Sequence, residues 1–251
     1  VGLFASLAVT ALGDGAPGDG FVRAATVPGA PVLGDPASDD VLISIERFLS
    51  GAGDDTIVGD DAGEDEIDGG DGADGIEGGA GDDRLGGGKG GDLLAGGEGA
   101  DAIAGGKGRD GADYAQSDAG VQVDLAAQGP QSGGHAEGDV LSSVEALRGS
   151  AFADDLRGTG AEELFAGGEG DDFLFGRGGA DQLGGEAGAD ELFGQKGGDL
   201  LEGRGGADAL KGGSGADTLK GGGGDDRLEG GAGADRLKGG GGADVFVFAR
   251  G

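Results

Sequence analysis

Acidic side chains recur along this chain at a spacing of nine residues. The first run is Asp55, Asp65, Asp74, Asp83, Asp92, Asp101 and Asp110, with one extra residue at Gly59. The second is Asp154, Glu163, Asp172, Asp181, Asp190, Asp199, Asp208, Asp217, Asp226, Asp235 and Asp244. Each acid is the sixth residue of a unit whose first, second and fourth positions favour Gly, as in GGDGADGIE from Gly69 and GGSGADTLK from Gly212. Gly allows positive φ or close chain approach at little cost, so such a turn can aim main-chain carbonyls at a common centre. The Asp adds carboxylate oxygens. Hard oxygen donors without Cys, and with a single His, suit Ca²⁺, which takes about six to eight oxygens. Mg²⁺ wants a tighter octahedron that retains its water, and fits a carbonyl-rich cage less well. Adjacent acids such as Asp82 and Asp83 also suggest a glycosidase dyad, but their recurrence in equivalent units argues for turn chemistry.

The elements that must position these acids follow from the other three residues of each unit. In the pattern x-U-x the central apolar residue points one way and its neighbours the other, as a strand requires. The inward series is Ile57, Ile67, Ile76, Leu85, Leu94, Ile103 and Ala112, and then Leu156, Phe165, Leu174, Leu183, Leu192, Leu201, Leu210, Leu219, Leu228, Leu237 and Phe246. Each unit reads as a six-residue turn and a three-residue strand, too small to fold singly but able to stack into a continuous ladder. Outward neighbours are charged or small, with Phe173 and Phe175 as apolar exceptions. The expected fold is all-β.

The chain divides into residues 1–49, an irregular lead-in; 50–113, a first array; 114–148, a spacer; and 149–251, a second array. Asp40-Val-Leu-Ile-Ser-Ile-Glu46 matches Asp139-Val-Leu-Ser-Ser-Val-Glu145 at an offset of 99, so the chain reads as one module and its second copy. Gly2–Ala8 echoes Gly120–Ala126, which favours a strand there over a signal remnant. Ala112 suggests that the first roll ends at that point.

The unit GGxGxDxUx, complete from 69 to 113 and recurring from 167 to 247, resembles the nonapeptide of the RTX (repeats-in-toxin, haemolysin-type) calcium-binding proteins. The resemblance implies a right-handed parallel β-roll solenoid, with two nonapeptides to each coil and calcium held between turns one coil apart. Carried over, Asp74, Asp92 and Asp110 share one row and Asp83 pairs with Asp101. In the second array Asp208, Asp226 and Asp244 form one row, and Asp199, Asp217 and Asp235 the other. The sixth-position Asp residues are the expected calcium ligands, apart from Asp154. That acid and Glu163 lie in turns with Phe152 and Ala161 at the fourth position, where poor binding is expected. Arg, Glu, Gln and Arg at the second position of the units from Gly176, Gly185, Gly194 and Gly203 should still allow binding, since the carbonyl matters more than the side chain there. Seven units allow at most five ions and eleven at most nine, an upper bound of about 14 that would offset most of the charge of −32.

Composition narrows the function classes. The chain has 251 residues, 68 of them Gly, with 49 acids against 17 bases and no Cys, Met or Trp. Disulfides, zinc-thiolate sites and cysteine nucleophiles are excluded. So much negative charge repels nucleic acid. Val1–Leu12 is too short to span a membrane, and a chain with no initial Met reads as a fragment or a processed product. His135 is expected in an exposed loop, and Tyr114 as a cap on the first roll. No catalytic residues are expected. The reading is a calcium-binding region of a secreted bacterial protein that folds on extracellular calcium. By family resemblance it would leave through type I secretion machinery; its protein partner is unknown. Alternatives are the noncatalytic tail of a secreted protease, lipase or epimerase, and a structural spacer in a surface adhesin.

Overall fold

The computed structural model describes residues 20–22, 40–43, 47–59 and 63–248. The reading of a strand at Gly2–Ala8 lies outside them. The fold is all-β, a parallel β-roll, and no α-helix occurs among the described residues. It divides into two compact units, Val1–Asp110 and Gly111–Gly251.

In the first unit one parallel stack runs Gly20–Val22, Asp40–Ile43, Thr56–Val58, Gly75–Ala80 and Leu93–Glu98. The other runs Arg47–Leu49, Glu66–Asp71, Arg84–Gly90 and Ala102–Gly108. In the second unit one stack contains Gly111–Asp113, Ala146–Arg148, Leu164–Glu169, Gln182–Ala187, Leu200–Gly205, Thr218–Gly223 and Arg236–Gly241. Its companion contains Gln122–Asp124, Asp155–Arg157, Phe173–Phe175, Glu191–Lys196, Ala209–Ser214, Arg227–Ala232 and Val245–Val247. Successive nonapeptides alternate between the stacks, so a residue meets its counterpart two units on: Leu183 pairs with Leu201 and Leu201 with Leu219.

This register turns the apolar series into a core. From Ile57 to Leu228 every predicted inward residue is buried. Each such aliphatic side chain contributes about 1.5–3 kcal/mol relative to exposure. The last two depart from expectation: Leu237 is half-buried and Phe246 is 41% exposed. They sit on the final described coil, and no further described coil covers them.

The strands also outrun the predicted three residues. Eleven of the described strands span six, and Arg84–Gly90 and Ala102–Gly108 span seven. Gly88 pairs with Gly106 and Lys89 with Lys107, so the first half of the turn is laddered too. The aperiodic segments supply coils without Gly turns: Phe48 lies over Ile67 as Leu147 lies over Phe165. Within the spacer, Tyr114 is buried and donates its hydroxyl to Asp139 Oδ2 at 2.9 Å. His135 is half-buried in a 3₁₀ turn, Gly134–Ala136, rather than exposed, and its main-chain N–H donates to Ser117 Oγ at 3.0 Å.

Candidate metal centre

The parallel stacking brings each acid beneath the turn before it. Asp92 Oδ1 accepts the Asp74 N–H at 2.9 Å, and Asp110 Oδ1 accepts that of Asp92 at 2.9 Å. Asp101 does the same for Asp83, and Asp83 for Asp65. In the second unit Asp172, Asp190, Asp208, Asp226 and Asp244 make one such row. Asp181, Asp199, Asp217 and Asp235 make the other. The predicted ligands are buried, except Asp235 and Asp244, which are half-buried on the last described coil.

The second carboxylate oxygen is the informative atom. Asp74, Asp92, Asp172, Asp181, Asp190, Asp199, Asp208, Asp217 and Asp226 each keep a buried Oδ2 with no hydrogen-bond partner. A buried anionic oxygen without a donor is costly, so its surroundings must supply positive charge by other means. What lies nearby is more acceptor. A methyl placed on Gly221 would overlap Asp226 Oδ2 and lie 2.7 Å from the carbonyl oxygen of Gly239, one coil on. On Gly87 it would overlap Asp92 Oδ2 and lie 2.6 Å from the Gly105 carbonyl oxygen. The first-position Gly therefore keeps open a hollow lined by oxygen from two coils.

The other glycines do a different job. At the second position Gly88 has φ 103°, and at the fourth Gly90 has φ 142°. Arg177, Glu186, Gln195 and Arg204 occupy the second position with φ between 73° and 79°. An L side chain pays about 1–2 kcal/mol there. Ion pairs offset part of that cost, as the Arg177 guanidinium binds Asp124 through two nitrogens and Arg204 meets Glu186 one coil away. Sequence reasoning missed these pairs. Opposite charges at equivalent positions of alternate units, Glu186 and Arg204, were the available signal.

Three turns differ. Ser50 stands at a first position, and its hydroxyl donates to Asp55 Oδ2 where the hollow would be. Asp154 is filled by donors: Ser150 N–H at 2.6 Å on Oδ2, with Ser150 Oγ at 2.8 Å and Val121 N–H at 2.7 Å on Oδ1. Glu163 Oε1 accepts the Thr159 N–H at 3.0 Å.

Electrostatics agree with a hollow that favours a cation. Burial foremost, then neighbouring carboxylates, push Asp172 up to about 8 and Asp190 and Asp74 up to about 6. Asp181 rises to about 7, by burial first and then by Glu163 and Asp199. Among the described residues no three Asp, Glu, His or Cys side chains converge on one point. A cation between coils would therefore rest on few carboxylates and on main-chain carbonyls. That donor set is all hard oxygen and fits calcium.

The family model of the RTX calcium-binding nonapeptide repeat matches residues 49–85, 61–94, 77–112, 148–183, 157–192, 184–219 and 220–251. This chain belongs to that family. Its RTX repeats form a calcium-binding structural β-roll. No curated protein matches the chain. Among the described residues no helix is long and apolar enough to cross a membrane.

Proposed function

We propose that this RTX region is a calcium-gated folding unit of a secreted protein, unfolded where calcium is scarce and compact outside the cell. Its sixth-position Asp residues from Asp65 to Asp110 and from Asp172 to Asp244 are the carboxylate ligands, with turn carbonyls completing each shell. The region does no chemistry of its own. Its membership of the RTX family supports type I secretion and an extracellular location.

The observation that carries this reading is the rows of buried, donorless Oδ2 atoms, with carbonyl oxygens of the next coil beside those of Asp92, Asp172, Asp208, Asp217 and Asp226. Neighbouring carboxylates at a strand spacing of about 4.8 Å repel by about 3 kcal/mol per pair at an effective dielectric of about 20. A divalent ion reverses the sign of that interaction, so binding and folding become one process. Calcium sites of the extracellular class bind at about 10⁻⁴–10⁻³ M. Far-ultraviolet circular dichroism during a CaCl₂ titration should show β-structure appearing in that range. A full β-signal in excess chelator at neutral pH would refute the proposal.

A further inference from the structure

The turn Gly158–Glu163 departs from the repeat at three positions: Thr159 at the second, Ala161 at the fourth and Glu163 at the sixth. On sequence it reads as a site lost. Its geometry is otherwise. Glu163 is 1% exposed, and its Oε2 has no hydrogen-bond partner. A methyl placed on Gly158 would lie 2.7 Å from Glu163 Oε2 and 2.7 Å from the Gly176 carbonyl oxygen. That is the same acceptor-lined hollow as at the regular turns, reached by a longer side chain.

Thr159 explains how the extra methylene is accommodated. Its N–H and its hydroxyl both donate to Glu163 Oε1, at 3.0 and 2.5 Å. The carboxylate is thereby turned so that one oxygen is tethered within the turn and the other projects into the hollow. The backbone register is undisturbed, since Glu163 N–H donates to Asp181 Oδ1 at 3.0 Å. The preceding turn shows what a closed site looks like, because Asp154 has protein donors on both oxygens. Asp55 is likewise met by the Ser50 hydroxyl.

We infer that the turn Gly158–Glu163 is a working calcium site, with Glu163 Oε2 and the Gly176 carbonyl oxygen among its ligands, whereas the Asp154 turn is not. This rests on the proposal that the regular hollows take calcium. Thr159 and Glu163 act as a pair: the threonine supplies the donors that aim the glutamate.

Native mass spectrometry of the full chain at saturating calcium counts bound ions directly. Glu163→Gln should carry one ion fewer than the parent chain, Asp208→Asn (a regular turn) also one fewer, and Asp154→Asn the same number. A loss in Asp208→Asn with no change in Glu163→Gln would overturn the inference and leave the wider reading standing. A parent chain that takes up no calcium would overturn both. Long-wavelength anomalous data from crystals of the parent chain grown in calcium need no variant. They should show a peak about 2.3–2.6 Å from Glu163 Oε2. Peaks at the regular hollows with none beside Glu163 would again overturn it.

Discussion

The main-chain N–H of Asp74 donates to Oδ1 of Asp92, one coil further along, at 2.9 Å. Asp92 thus uses one oxygen to fasten adjacent coils and leaves the other buried beside a carbonyl. The first oxygen belongs to the fold and the second to the ion. Variants that separate these two duties test the account.

Asp208→Asn keeps an oxygen acceptor for the Asp190 N–H but can place an amide N–H where Oδ2 faces the Gly221 carbonyl. Satisfying that hollow with a donor should stabilise the metal-free roll by about 1–3 kcal/mol. It should also reduce the gain from calcium. Urea unfolding in chelator and in calcium measures both, and a less stable metal-free variant would contradict the expectation.

Gly221→Ala puts a methyl into the hollow of Asp226, whereas a methyl on Gly241 meets nothing within 4 Å. The first substitution should destabilise the calcium-loaded roll by about 1–3 kcal/mol, the usual cost of overpacking, with loss of one ion. Gly241→Ala should change neither. Calcium titrations of the two variants side by side make the comparison, and equal effects would count against the hollow.

Acid should partly replace calcium. Asp172, Asp181, Asp190 and Asp74 are raised to about 8, 7, 6 and 6 from an ordinary value of 3.8, burial being the largest cause. The folded chain therefore holds protons that the unfolded chain releases. That contribution to metal-free stability is fully present below about pH 4 and is lost as pH rises through 6 to 8. In chelator, β-structure should be greater at pH 4 than at pH 8. With calcium the dependence inverts, since protons compete for the same oxygens and the calcium midpoint should rise on acidification. Circular dichroism at both pH values decides it.

Gln195 holds φ 79° at a second position where most units have Gly. Gln195→Gly should relieve about 1 kcal/mol of strain and lower the calcium concentration at the folding midpoint. A raised midpoint would mean that the side chain contributes more than its backbone costs.

The nine-residue spacing made the ladder from Ile57 to Leu228 and the rows of Asp legible, because strand alternation and stacking leave few other ways to bury one residue in nine. Strand length was not legible. The Gly residues that signal a turn also join the ladder, as Gly88 and Gly106 do. Nor was it evident which turns stay open. Ser150 and Thr159 both stand at the second position, yet Ser150 places donors on both oxygens of Asp154 while Thr159 places both of its donors on Oε1 of Glu163 and leaves Oε2 open. That difference depends on the reach of the acid, which the hydroxyl residue alone does not convey.

The central claim is that ion uptake and coil formation are a single event. The direct test follows bound calcium and far-ultraviolet ellipticity together on one sample of the full chain, from excess chelator to millimolar calcium. The two curves should superimpose. β-structure complete before the ions bind, or ions bound to a chain that stays unfolded, would contradict it.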